Sequence, residues 1–211
     1  VNVDRIKRGL RPANSIWFWG AGTKPSLSSF YEKYHLKGSV ISAVDLVKGL
    51  GICMGLKTIN VEGATGNINT NYKGKADAAL NELKSGQDFV YIHIEAPDEC
   101  GHRYEIENKV KAIELIDQHI VGRLLNGLED MGEYRMLLLP DHPTPLALRT
   151  HTSEPVPFII YSPSSMQSSL FAAAGINPGN TAATSYNEVE AEKSGIFIEP
   201  GHSLMDLFIN G

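Results

Sequence analysis

The alternation of short apolar runs with stretches of helical periodicity constrains the fold of this chain most strongly. The apolar runs are bounded by Gly, Pro, Asp or His, as strands of a parallel sheet often are. They cover residues 15–19, 39–44, 57–61, 88–95, 134–139 and 156–161. Helical spacing is present in residues 43–50, 74–83 and 106–128. This β-α-β order predicts an α/β fold with a doubly wound, mainly parallel sheet and helices on both faces.

The pattern also predicts where particular elements lie. The nearly continuous apolar runs 88–95 and 134–139 are expected to be central strands, side by side or one strand apart. Residues 164–194 are rich in Ser, Ala, Asn and Gly and predict loops with a short helix, whereas 201–211 predict a final amphipathic helix. The helix 106–128 carries one apolar stripe that is expected to face the sheet, formed by Ile106, Val110, Ile113, Ile116, Ile120, Leu124 and Leu128.

Charge and composition exclude several classes of protein. The chain has 211 residues, 19 Lys and Arg against 24 Asp and Glu, and a formal net charge of -5. This balance argues against a nucleic-acid-binding protein or a polybasic membrane-surface protein. No apolar run approaches the length of a membrane span, and residues 1–10 lack the apolar block of a signal peptide, so a cytoplasmic protein is expected. Cys53 and Cys100 belong to no paired motif and are expected to be reduced; the sequence specifies no oligomeric state.

Candidate metal ligands follow two of the apolar runs. Asp98 and His102 lie in a Pro- and Gly-containing turn after residues 88–95, and Asp141 and His142 come directly after 134–140. His151 lies on the loop that follows. Each motif alone is more often a turn or a helix cap than a ligand pair, but their occurrence at two strand ends of one sheet favours a shared site. Carboxylate and imidazole together suit zinc or manganese, so the sequence predicts a divalent-metal site.

Longer motifs in the sequence carry a family resemblance. They are ANSIWFWGAGTKPSL, KGSVISAVDLVKGLG, APDECGH and LPDHPTPLALRTHT followed by VPF. These motifs resemble those of the archaeal-type cofactor-independent phosphoglycerate mutases, of the alkaline phosphatase superfamily, and the resemblance extends over residues 14–202. It implies that Asp98, His102 and His151 bind one divalent ion, manganese or zinc. It also implies that Asp141 and His142 help to bind a second ion.

The resemblance further implies an activity and its substrate. Such an isomerase interconverts 3-phosphoglycerate and 2-phosphoglycerate, in glycolysis and gluconeogenesis, through a phosphoserine intermediate. The substrate is a small molecule, and no nucleic acid or membrane takes part. Lys37 is the expected lysine near the transferring phosphoryl group, and Lys24 is the expected substrate contact.

Two parts of the family pattern have no counterpart in this sequence. These two parts are a second-site Asp near the N terminus and the Ser nucleophile. The domain that cradles the substrate, which follows the nucleophile in the family, has no counterpart either. Residues 1–211 are therefore expected to be the C-terminal part of a metalloenzyme domain, inactive by itself. Two alternatives stay open: a phosphatase or phosphonate-processing relative on the same two-metal core, and a non-catalytic metal-binding remnant.

Overall fold

A computed structural model of the chain describes residues 1–18, 21–23, 25–163 and 185–211. The helices are α1 (Asn2–Lys7), α2 (Phe30–Tyr34), α3 (Asp45–Cys53), α4 (Tyr72–Lys84), α5 (Ala96–His102), α6 (Ile106–Ile116), a π-helical turn (Asp117–Val121), α7 (Gly122–Leu128), α8 (Glu188–Lys193) and α9 (Ser203–Asn210). The strands are β1 (Gly38–Ile41), β2 (Lys57–Ile59), β3 (Phe89–Ile92), β4 (Met136–Leu138) and β5 (Ile159–Tyr161). None of the helices in the described ranges is both long and apolar enough to cross a bilayer.

Strands β1, β2 and β3 form a parallel sheet in the order β2-β1-β3. All four residues of the central strand β1 are buried, because a helix covers each of its faces. On one face, Val40 lies so close to α3 that a Cβ on Gly51 would be 2.5 Å from its Cγ1 atom. On the other face, the Ser39 hydroxyl donates to Glu82 of α4. The predicted α/β class, with a parallel sheet and helices on both faces, is confirmed.

The arrangement of the remaining strands differs from the expectation. Within the described residues β3 pairs with β1 alone and forms an edge of the sheet, and β4 pairs antiparallel with β5 in a separate ladder. The prediction that 88–95 and 134–139 are central strands of one sheet is therefore wrong. All three residues of β4 are matched by β5, which occupies one hydrogen-bonding edge of this short strand. Residues 15–18 are irregular rather than a strand, and Trp17 and Phe18 are 85% and 89% exposed.

The long helical region 106–128 contains one register change. The π-helical turn is wider than an α-helical turn, and it keeps a four-residue spacing on one face from Ala112 through Ile120 and Leu124 to Leu128, all of them buried. The first half of the predicted stripe does not join this face. Ile106, Val110 and Ile113 are about half exposed, because Ala112 takes the core-facing position of α6.

The C-terminal segment packs on the small antiparallel ladder. Leu204 of α9 is buried with Ile160 of β5, so the predicted final helix is confirmed. The Arg135 guanidinium donates to the carbonyl oxygens of Phe208, Ile209 and Gly211 at the end of this helix. Of the segment 164–194, which the sequence predicts as loops with a short helix, residues 164–184 lie outside the described residues and α8 is helical.

The core under the parallel sheet contains a lysine. Lys75 of α4 has no exposed surface, and its Nζ atom donates to the backbone carbonyl of His93, just past β3, over 3.2 Å. Burial lowers the pKa of Lys75 from 10.5 to about 8, although the nearby Glu95 carboxylate opposes this shift. The folded protein therefore releases this proton at a lower pH than the unfolded chain does.

Replacing Lys75 with methionine should remove a specific pH dependence of stability. Between pH 8 and about 10 the unfolded chain keeps the Lys75 proton that the folded state has lost, so the free energy of unfolding rises with pH. We expect the wild-type protein to gain about 2 kcal/mol more than Lys75→Met over this interval. Urea unfolding of both proteins at each pH measures the difference. Parallel pH profiles would show that Lys75 does not titrate in this range.

Candidate metal centre

Helix α5 brings the first two candidate ligands together. It begins at Ala96, four residues beyond the end of β3, and Pro97 occupies its first turn, where a missing N–H costs no helical hydrogen bond. The prediction that Asp98 and His102 lie in a turn is wrong, because both lie in this helix. Their four-residue separation puts them on one helix face. As a result an Asp98 carboxylate oxygen is 3.4 Å from Nε2 of His102.

His151 completes a compact group of three side chains. Its Nε2 atom is 3.0 Å from Nε2 of His102 and 3.2 Å from Oδ1 of Asp98. Two ligands that each lie about 2.0–2.1 Å from one zinc ion are themselves roughly 3.3 Å apart. The spacing of the three side chains therefore fits a shared divalent ion without rearrangement.

The backbone at Arg149 prepares His102 for this role. The Nδ1 atom of His102 lies 2.9 Å from the Arg149 carbonyl oxygen, which can only accept a hydrogen bond. The proton is thereby held on Nδ1, and the Nε2 lone pair is left free toward Asp98 and His151. Arg149 has a left-handed backbone with φ of 55°, and its guanidinium lies over the Tyr104 ring, 4.6 Å from the centroid. These contacts keep the carbonyl at the ring of His102.

Asp141 and His142 lie next to the three-residue group. They follow β4, and the His142 Nε2 atom is 3.2 Å from Oδ2 of Asp141. The ring of His142 packs against that of His151, with centroids 3.7 Å apart. All five candidate ligands predicted from the sequence are therefore brought to one surface, although the two strands that deliver them belong to different ladders.

The predicted lysine contacts have a different outcome. Lys37 precedes β1, and its backbone N–H donates to Asp88, which precedes β3. It lies at the amino end of the parallel strands, whereas Asp98 follows their carboxyl end. The structure does not bring Lys37 to the other candidates, because the length of the sheet separates them. Lys24 lies outside the described residues.

Two ionisable residues beside the cluster, Glu95 and His93, have shifted pKa values. Burial, followed by repulsion from Glu99 and Asp98, raises the pKa of Glu95. Burial lowers the pKa of His93 against the attraction of Asp141. Glu95, Asp98 and Glu99 also lie close enough together to share an ion. The group with the two histidines is the better candidate, because the Glu99 carboxylate is already paired with Arg103.

Two further groups support the cluster, and neither is among the residues predicted from the sequence. One is the Arg149 carbonyl, which leaves no mark in the sequence because every residue has one. The other is Thr144, a buried residue whose hydroxyl donates to Oδ1 of Asp98 over 2.5 Å. Its position two residues after His142, between two prolines, was the available signal.

A carboxylate and two imidazoles beyond the carboxyl end of a parallel strand are typical of metal-dependent α/β enzymes. The chain belongs to the Metalloenzyme superfamily, whose sequence profile matches residues 4–196. This membership, together with the side-chain group, supports dependence on divalent metal ions.

Curated relatives place the chain more narrowly. It is 50% identical, over its whole length, to a 2,3-bisphosphoglycerate-independent phosphoglycerate mutase of Methanothrix thermoacetophila, and covers 50% of that protein. It is 48% identical, over 98% of its length, to a probable enzyme of the same name from Geobacter sulfurreducens, and covers 48% of it. The chain therefore spans about half the length of the curated relatives it matches, and the match is to their C-terminal part.

Solved structures share the fold. A protein from Pyrococcus horikoshii is 32% identical and superposes with a TM-score of 0.78. The alignment covers 91% of this chain and 54% of the Pyrococcus protein. A cofactor-independent phosphoglycerate mutase from Thermoplasma acidophilum is 23% identical, with a TM-score of 0.58. That alignment covers 99% of this chain and 46% of the mutase.

Proposed function

We propose that this chain is the metal-binding C-terminal part of a cofactor-independent phosphoglycerate mutase, an isomerase that interconverts 3-phosphoglycerate and 2-phosphoglycerate. The observation that carries the proposal is the convergence of Asp98, His102 and His151, with donor atoms 3.0–3.4 Å apart. The relatives at 48–50% identity support the choice of reaction. The proposed setting is glycolysis and gluconeogenesis in the cytoplasm.

The candidate ligands divide into two metal sites in this proposal. Asp98, His102 and His151 hold one divalent ion, manganese or zinc, and Asp141 with His142 contributes to a second. When bound, such ions neutralise the negative charge of a phosphoryl group during transfer. Arg149 keeps the Nε2 atom of His102 available as a ligand.

The rest of the reacting centre is proposed to come from outside the C-terminal part. In this proposal the Ser nucleophile, the remaining second-site Asp and the substrate domain belong to an N-terminal part such as the one in the relatives. Lys24 stays a predicted substrate contact. Lys37, at the amino end of the parallel strands, is not part of the proposed centre.

Joining the N-terminal half of the Methanothrix relative to this chain should restore mutase turnover. We expect the manganese-loaded chimaera to convert 3-phosphoglycerate to 2-phosphoglycerate, and the chain alone to show none, because the phosphoryl acceptor residue is missing from it. The conversion is followed by phosphorus NMR. His151→Ala in the chimaera should lower turnover at least about 100-fold, as loss of a metal ligand predicts.

Two results would contradict the proposal. Release of inorganic phosphate and glycerate in place of 2-phosphoglycerate would favour the phosphatase alternative. Undiminished mutase turnover in the His151→Ala chimaera would show that the cluster takes no part in the reaction.

A further inference from the structure

One buried hydroxyl contacts a residue from each group of candidate ligands. Thr144 is 5% exposed, and its Oγ1 atom donates to Oδ1 of Asp98 over 2.5 Å. The same oxygen lies 3.4 Å from Nδ1 of His142. Asp98 belongs to the group with His102 and His151, whereas His142 belongs to the pair with Asp141. Thr144 is therefore in contact with both parts of the centre.

The direction of these hydrogen bonds has a chemical consequence. A threonine hydroxyl has one hydrogen to donate, and a carboxylate can only accept. Because the Thr144 hydrogen is donated to Asp98, the hydroxyl can only accept from His142, and this contact favours the His142 proton on Nδ1. The Asp141 carboxylate, 3.2 Å from Nε2 of His142, competes for that proton, so Thr144 shifts the balance toward the tautomer with a free Nε2 lone pair.

A lysine from a different helix holds the backbone of Thr144 in place. The Lys109 Nζ atom, from α6, donates to the Thr144 carbonyl oxygen over 2.7 Å. Burial lowers the pKa of Lys109, although Asp98 opposes this shift. The contact joins α6 to the loop after β4, and α6 follows α5 with only three residues between them. The loop that carries Asp141 and His142 is thereby anchored to the helical segment that carries Asp98.

We propose that Thr144, held by Lys109, is a positioning residue that orients Asp98 and favours the metal-binding tautomer of His142. The inference rests on the proposed metal-dependent function and extends it to residues that do not themselves bind the ion. Hydrogen-bond partners of this kind typically change metal affinity by about 10–100-fold when removed.

Calorimetric titration of the metal-free protein with zinc tests the proposal. Thr144→Val keeps the shape of the side chain and removes the hydroxyl, and it should weaken zinc binding by about 10–100-fold. Thr144→Ser restores the hydroxyl and should bind within about 3-fold of wild type. Lys109→Met should weaken binding by about 10-fold. The matched control is Lys111→Met, since Lys111 lies on the same helix and, among the described residues, pairs with the exposed Glu114, and it should leave the affinity unchanged.

Nitrogen NMR of the histidine rings in the metal-free protein supplies an independent readout. We expect the fraction of His142 with its proton on Nδ1 to be higher in the wild-type protein and in Thr144→Ser than in Thr144→Val. A purely structural role would leave the tautomer unchanged, while the unfolding curve shows whether each variant is folded.

The outcomes separate this inference from the proposed function. Wild-type zinc affinity in a folded Thr144→Val protein would overturn the positioning role and leave the metal site intact. Equal weakening in Thr144→Ser and Thr144→Val would also overturn it, because the hydroxyl would then not be the acting group. Failure of the wild-type protein to bind zinc would overturn the proposed function and this inference together.

Discussion

Replacing His102 with alanine should weaken zinc binding by at least about 100-fold, as loss of a metal ligand predicts. His102 is one of only three side chains in the compact group, and its Nε2 atom is 3.0 Å from that of His151. Its loss removes a ligand outright and also leaves the Arg149 carbonyl without its partner. A 100-fold loss corresponds to about 2.7 kcal/mol of binding free energy.

Calorimetric titration with zinc measures this effect. The matched control is His202→Ala, because His202 is an exposed histidine at the start of α9 whose side chain makes no cap hydrogen bond. The control should bind zinc as the wild-type protein does. Equal affinity in His102→Ala and the wild type would show that the ion binds elsewhere.

Replacing Gly101 with alanine should destabilise the protein and disturb the metal centre at once. A Cβ atom at this position would lie 2.6 Å from the Thr144 carbonyl oxygen and 2.9 Å from Nζ of Lys109. A backbone atom cannot yield as a flexible side chain does, so the loop after β4 must move away from α5. We expect the free energy of unfolding to fall by about 2 kcal/mol, and zinc affinity to fall with it.

Gly49→Ala provides the matched control for this substitution. Gly49 also lies inside a helix, α3, but beyond that helix's own backbone a Cβ there would have no atom of the described residues within 4 Å. Helix propensity alone predicts that Gly49→Ala stabilises the protein by up to about 1 kcal/mol. Urea unfolding of both variants separates the two effects. A stabilised Gly101→Ala protein with unchanged zinc affinity would contradict the close packing of α5 against the loop.

The sequence pattern alone predicted the approximate positions of the elements that bury continuous apolar faces. Strands β2 and β3 fall within predicted runs, β1 begins one residue before its predicted run, and the helical region 106–128 has the predicted bounds. Pairing between strands depends on contacts distant in sequence, and the periodicity of 134–139 carries no sign that β5 pairs with β4 in antiparallel orientation. The exposure of Ile113 was likewise hidden, because the π-helical turn at 117–121 changes which residues share a face.

In the candidate site, too, local spacing was predictable from the sequence and contacts distant in sequence were not. Asp98 and His102 could be paired from their four-residue spacing, and the loop after β4 brings His151 to them through contacts that no local pattern encodes. The position of Lys37 beside a strand does not tell which side of the sheet its side chain serves; it lies at the amino end of β1, whereas the candidate ligands follow the carboxyl ends of strands. Thr144 acts through a hydroxyl whose partner is distant in sequence, so only the folded structure reveals its contact with Asp98.

The most direct test of the central claim is anomalous X-ray diffraction at the zinc edge, on crystals of the protein grown with zinc. The account predicts a peak about 2.0–2.2 Å from a carboxylate oxygen of Asp98 and from the Nε2 atoms of His102 and His151. A peak bound by Glu95 and Glu99 instead, or no peak beside His102 and His151 at saturating zinc, would contradict the account.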